Sequence, residues 1–218
     1  MVNEYSRLFF LYFDHRERGQ LNKAKEISER QQYILKDLKE NGYDIGALLE
    51  ELKTKKLFKN SYDTIIIFTD GGVRNNHDVS ETSIAASAFA IYGDQKMLKH
   101  DAQFIGDTIK LPNNNIVDIN STLAEYHGLL QALLFAEKFN IKSKRIVFLT
   151  DCASMVQHIN TKLPVHTNFK DFAIELRTRL KSFRNVELRH IPREHNKITD
   201  KLVNQLLNTY ERGEVLCS

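Results

Sequence analysis

Thr64-Ile65-Ile66-Ile67-Phe68-Thr69-Asp70-Gly71-Gly72 is the run that decides the fold. Its β-branched and aromatic residues, Thr64–Thr69, predict a short buried strand, and Asp70-Gly71-Gly72 predicts its end in a turn. Phe148-Leu149-Thr150-Asp151 repeats the phrase and closes a second strand, Arg145–Thr150. Between the two lie further strands at Ser83–Tyr92 and Lys99–Lys110. Their short connections predict antiparallel neighbours. Pro112 and Asn113-Asn114-Asn115 mark a loop. Ser121–Phe139 then reads as a helix, with Ser121 or Thr122 as its N-cap. Downstream come helices at Cys152–Asn160 and Asn168–Phe183, a strand at Val186–Ile191 and a closing helix at His195–Tyr210. The order β-β-β-α-β-α-α-β-α predicts an α/β fold: a mixed sheet with helices on both faces. Phe169, Phe172 and Phe183 read as core.

Upstream of Ser61 the pattern differs. Gln20–Leu38 is rich in helix formers and is followed by Asn41-Gly42, a stop signal. Ile45 to about Lys56 forms a second helix with an apolar face at Ala47, Leu48, Leu49 and Leu52. Leu8–Phe13 is an apolar patch. Residues 1–60 are therefore expected to be a helical N-terminal extension, ahead of an α/β domain at 61–218. A packing appendage, or a surface for a protein partner or self-association, accounts for it more simply than a separate ligand-binding module.

The 218 residues are 42% hydrophobic and 27% charged, with 9 Gly and 3 Pro, which excludes a disordered, collagen-like or low-complexity chain. No apolar run can span a membrane. Glu4 precedes the Leu8–Phe13 patch and Asp14 and Glu17 follow it, unlike a secretory leader. Cys152 and Cys217 are too few for a disulfide framework or a zinc site. A cytoplasmic protein is the expectation. The net charge of +3 allows a nucleic-acid partner without demanding one. Basic and acidic residues nearly balance within each part on either side of Asn60, so neither part is a polybasic arm.

Four carboxylates stand out. Asp70 and Asp151 end hydrophobic strands, where ligands bind in open α/β sheets, although a strand-end Asp also caps turns. Glu125 shares a helical stripe with Gly128, Leu129, Ala132 and Ala136, a stripe that should face the sheet. A carboxylate there is costly unless it is paired or bound to a cation, or favoured by the helix dipole. Asp200 lies early in the last helix. If the four converge they cannot all stay ionised without cations. Oxygen ligands with no local Cys₂ or His₂ pattern point to Mg²⁺ or Mn²⁺. Two such ions are a common apparatus for displacement at a phosphodiester.

These residues resemble type 1 ribonuclease H. The resemblance rests on Phe68–Gly72, on Ala124-Glu125-Tyr126 within Leu123–Ala136, on Leu149-Thr150-Asp151 and on Arg189-His190-Ile191-Pro192-Arg193-Glu194-His195-Asn196-Lys197-Ile198-Thr199-Asp200-Lys201-Leu202. It covers about Thr64 to Leu207, and its Pro-Arg-Glu-x-Asn form is similar to the branch without a basic protrusion. Residues 1–60 do not look like the hybrid-binding module at the front of some eukaryotic members. The resemblance implies a ribonuclease H-like five-stranded mixed sheet flanked by helices. It also implies hydrolysis of the RNA strand of RNA–DNA hybrids, with two Mg²⁺ or Mn²⁺ ions, leaving 5′-phosphate and 3′-hydroxyl ends. Asp70 would bridge the ions, Asp200 would help hold the one on the attacking side, and Glu125 and Asp151 the one on the leaving side. A family His that assists proton movement or product release corresponds to His190 or His195, and His190 has the alternative of pointing into the core.

Other polar residues near these motifs are candidates for substrate contact: Gly71, Arg74, Asn75, Asn76, Thr122, Arg193 and Asn196, with Arg189 and Lys197 beside the last motif. Solvated surface charge is the competing explanation for the cations. Ser121 and Thr122 stand where many members of the family carry Asn, and Cys152 stands where Ser or Asn is common. Two rival readings remain open at the level of sequence. One is a nuclease or strand-transfer enzyme of the same fold acting on another nucleic acid, and the other is a non-catalytic hybrid-binding or scaffold protein.

Overall fold

A computed structural model describes residues 1–59, 62–74, 83–141, 143–161 and 167–212. The chain divides into two compact units, Met1–Asn60 and Ser61–Ser218.

The first unit is three helices: α1 (Val2–Glu17), α2 (Leu21–Glu40) and α3 (Ile45–Leu57). Only the last two were expected. Leu8–Phe13 belongs to a 16-residue helix, because Tyr5, Leu8, Phe9 and Phe13 recur at helical spacing and pack together. Ile34 and Leu38 of α2 and Leu52 of α3 complete the buried cluster. Gly19 and Gly42, both at positive φ, end the first two helices. Asp44 caps α3 by accepting from the Ala47 N–H at 2.9 Å.

The second unit is a five-stranded sheet with helices on both faces. Its strands are β1 (Tyr62–Arg74), β2 (Ile84–Gly93) and β3 (Lys96–Gly106), then β6 (Ser143–Thr150) and β7 (Val186–His190), with β4 (Thr108–Lys110) and β5 (Ile116–Asp118) forming a separate hairpin. The spatial order is β3-β2-β1-β6-β7; β1, β2 and β3 are an antiparallel meander, and β6 and β7 run parallel to β1. Asp94 and Gln95, both at positive φ, make the tight turn from β2 to β3. The expected single strand Lys99–Lys110 is two strands. Gly106, at φ +95°, breaks it, and the Pro112–Asn115 loop is the tip of the β4–β5 hairpin. The helices are α4 (Ser121–Lys138), α5 (Ala153–Asn160), α6 (Thr167–Leu180) and α7 (Lys197–Glu211). The cap of α4 is Asn120, not Ser121 or Thr122; its side chain accepts from the Leu123 N–H at 2.9 Å. Phe172 is buried, Phe183 packs on Phe148 and Phe169 stacks on Tyr126. No helix among the described residues is long and apolar enough to cross a membrane.

Two features position the site. First, β1 does not stop at Thr69. It continues beside β2 to Arg74, whereas its parallel partner β6 last pairs with it at Phe68–Leu149. Asp70 therefore lies just past the point where one neighbour leaves, at a notch in the ladder on that side. Second, consecutive residues of β1 face opposite helices. A Cβ on Gly71 would fall 2.1 Å from the Ala124 carbonyl carbon of α4, and one on Gly72 would fall 2.8 Å from Val203 of α7. The contact with α4 is reciprocal, because a Cβ on Gly128 would lie 2.6 Å from the Asp70 carbonyl oxygen. Strand and helix meet backbone to backbone, which carries Glu125 in beside Asp70.

Candidate active site

Three carboxylates from distant parts of the sequence meet at the notch. Asp70 comes from β1, Glu125 from the second turn of α4, and Asp151 from the residue after β6. One oxygen from each lies within 4.8 Å of the others. Asp70 is only 6% exposed, and its Oδ1 accepts from the Gly71 N–H at 2.8 Å. The Thr150 hydroxyl donates to Glu125 Oε2 at 3.4 Å and accepts from the Cys152 N–H at 3.1 Å. Thr150 thus ties the exit of β6 to the carboxylate on α4.

Burial and mutual repulsion dominate the electrostatics. Desolvation, then the neighbouring charge of Asp151, pushes the Asp70 carboxyl up to about 7. Desolvation, then the charges of Asp70 and Asp151, pushes Glu125 well above the usual carboxylate range. Both shifts favour the protonated acids until a cation takes the proton's place. The donor set is all oxygen, anionic and tightly spaced, which fits a hard divalent ion such as Mg²⁺ or Mn²⁺. The triad can hold metal ions.

Asp200 stands apart from this triad. It sits in the first turn of α7, near enough for its charge to raise Asp70, but its Oδ1 accepts from Arg193 Nη2 at 2.8 Å. Arg193 is otherwise well exposed. His190 is the last residue of β7, exposed and in register with Thr150, so it does not point into the core. His195 lies in a single 3₁₀ turn, Arg193–His195, and lines an apolar depression with Phe68, Tyr92 and Ile198. Thr122 lies half-exposed in the first turn of α4.

Three of the expected substrate contacts have partners within the protein. Asn196 is 1% exposed, and its amide donates to the Thr69 carbonyl at 3.0 Å and to Asp151 Oδ1 at 2.8 Å. Its own side-chain oxygen accepts from the Thr199 hydroxyl at 2.6 Å. No part of this side chain is left for a ligand. Arg74 is engaged by α7, donating to Asn204 at 2.7 Å and pairing with Glu211. Gly71 spends its N–H on Asp70 and its missing side chain on the contact with α4. Arg189 pairs with Glu187. Asn75 and Asn76 lie outside the described residues. Thr150 and Asn120 were not anticipated as site-building residues. The Thr-Asp phrase and the run Asn120-Ser121-Thr122 were the available signals.

Comparison with known proteins places this architecture. The sequence matches the family described as "Reverse transcriptase-like" over residues 111–206, a span that contains Glu125, Asp151 and Asp200. No curated protein matches the chain. Among solved structures it is similar to RNase H1 from the halophilic archaeon Halobacterium salinarum, at 20% identity and a TM-score of 0.55, covering 66% of this chain and 98% of that one. The N-terminal RNase H domain of Rv2228c from Mycobacterium tuberculosis gives 20% identity and a TM-score of 0.55, covering 70% and 99%. LC11-RNase H1, solved in complex with an RNA/DNA hybrid, gives 25% identity and a TM-score of 0.51, covering 65% and 94%. The fold of this chain is ribonuclease H-like.

Proposed function

We propose that the protein is a metal-dependent endonuclease that hydrolyses the RNA strand of RNA–DNA hybrids, leaving 5′-phosphate and 3′-hydroxyl ends. The observation that carries this reading is the convergence of Asp70, Glu125 and Asp151 within 4.8 Å, with Asp200 on the adjacent helix turn. The likeness to a ribonuclease H1 solved with a hybrid supports the choice of substrate. Asp70, central to the group, would be shared between two Mg²⁺ or Mn²⁺ ions. Asp200 would serve the attacking side, and Glu125 and Asp151 the leaving side. Divalent ions held there would acidify the attacking water and neutralise charge on the departing 3′ oxygen.

The protein's own groups then have distinct tasks. Thr122, half-exposed at the start of α4, would meet a sugar or phosphate of the substrate, and the 2′-hydroxyl is the feature that separates RNA from DNA. Arg193 would exchange Asp200 for a backbone phosphate, since a guanidinium binds either anion through the same donors. His190, exposed and level with Thr150, or His195 would accept or return a proton near Asp151.

The test is a substrate panel of labelled hybrid, duplex RNA, duplex DNA and single strands, each with Mg²⁺ and with Mn²⁺. Cleavage of the RNA strand in the hybrid is expected, and it should vanish in Asp70→Asn. Preference for another substrate would redirect the reading within the fold. Hybrid binding without turnover under either metal would replace the enzyme with a binding protein.

A further inference from the structure

Asn196 offers neither a charge nor a titratable proton, and it is closed to solvent. Yet it joins three of the segments that build the site. Its amide N–H groups reach the Thr69 carbonyl of β1 and the Asp151 carboxylate after β6. Its side-chain oxygen is held by Thr199, and its backbone carbonyl accepts from the Asp200 N–H at 3.1 Å. The Thr69 carbonyl lies one residue beyond the last β1–β6 pair, so Asn196 fills the ladder position that β6 vacates. The same amide restrains one oxygen of Asp151.

We infer that Asn196 is a positioning residue that sets the orientation of Asp151 toward Asp70 and Glu125, so that it acts on divalent-cation affinity and turnover, not on hybrid binding. This rests on the reading of the three carboxylates as metal ligands. The chemistry follows from the contacts. A carboxylate free to rotate in a crowded anionic cluster turns away from its neighbours. One donor from an amide that is itself fixed by the Thr69 carbonyl and by Thr199 opposes that rotation. Groups that orient a metal ligand through hydrogen bonds commonly contribute about 10- to 100-fold to metal affinity or activity.

The experiment titrates the full-length protein with Mn²⁺ by calorimetry, without nucleic acid, and separately measures kcat and KM on a labelled hybrid. Asn196→Ala should weaken Mn²⁺ binding at least about tenfold and lower kcat, with KM for the hybrid within about twofold of wild type. Thr199→Val keeps the amide but removes its anchor. It should shift Mn²⁺ affinity the same way by about threefold, a smaller effect because the donor to Asp151 remains. Circular dichroism confirms that each variant is folded. If Asn196→Ala does not fold, Thr199→Val decides the matter on the same readout. Wild-type Mn²⁺ affinity in the folded variants, or a rise in KM without a loss of Mn²⁺ affinity, overturns the inference alone. A wild-type protein that binds Mn²⁺ but leaves the hybrid uncut overturns the proposed activity, and the Mn²⁺ titrations still judge Asn196. A wild-type protein that binds no Mn²⁺ overturns both.

Discussion

The helical unit and the α/β unit treat charge in opposite ways. No charged side chain among residues 1–59 is buried. Its ion pairs, such as Asp14–Arg18, Glu51–Lys55 and Glu17–Lys56, lie at the surface over a core of Tyr5, Leu8, Phe9, Ile34, Leu38 and Leu52. The α/β unit instead gathers three carboxylates, the buried Asp70 among them, and lets them repel one another. The first arrangement is what stability alone favours. The second is unfavourable until something cationic arrives, which makes the cluster the candidate site.

The largest test of this contrast is Asp70→Asn. Hybrid cleavage should fall by about a thousandfold or more. The metal-free protein should gain stability on the order of 1–3 kcal/mol in urea unfolding, because a buried like charge is removed. Loss of both activity and stability would mean that Asp70 is structural and would erase the contrast.

Leu38→Ala probes the other side. Leu38 is fully buried in the helical core, so truncation should cost about 2–5 kcal/mol, read as lost hydrogen-exchange protection in α1–α3. Mn²⁺ binding at Asp70, Glu125 and Asp151 is the control that should not change.

The pH dependence sharpens the comparison further. Asp70 has a raised folded pKa, so its contribution favours the metal-free fold below the ordinary carboxylate value near 3.8 and is lost as pH rises toward about 7. His127 works the other way. It is half-buried beside Ser87, at 2.8 Å, and desolvation lowers it to about 4. Its contribution is present above about 6.5 and is lost as pH falls through about 4. The two slopes oppose each other in the wild type. Asp70→Asn should therefore leave a protein that loses stability toward acid more steeply than wild type, and His127→Gln one that loses it less steeply. Denaturant midpoints at pH 4.5, 6 and 7.5 in EDTA would read both. The smallest effect is expected from Lys55→Ala, at most about 0.5 kcal/mol, since Glu51–Lys55 is an exposed pair one helical turn apart.

Much of the site was legible in the order of the residues. Asp70 and Asp151 follow hydrophobic strand runs, and Glu125 shares its stripe with the buried Gly128, Leu129, Ala132 and Ala136. Periodicity reports such things directly. It does not report how far two strands run past each other, so Asp70 was placed at a strand end when it lies inside a longer strand. Nor does it report burial of a polar loop residue, and Asn196 therefore read as a substrate contact. Helix α1 escaped because Phe9, Phe10, Tyr12 and Phe13 are weak helix formers that packing overrides. Arg193 illustrates a further limit: sequence places a cation near Asp200 but does not say that the two are paired.

The seam between Gly71 and Gly128 bears on how such a centre can be retuned. Even the smallest added side chain, a single methyl at Gly128, would press against main-chain oxygen 2.6 Å away. The width of the seam therefore has no series of intermediate settings. Substitutions that graded the spacing of Asp70 and Glu125 would have to act from the rim, through residues such as Thr150, and the floor beneath the two acids would change only by coming apart.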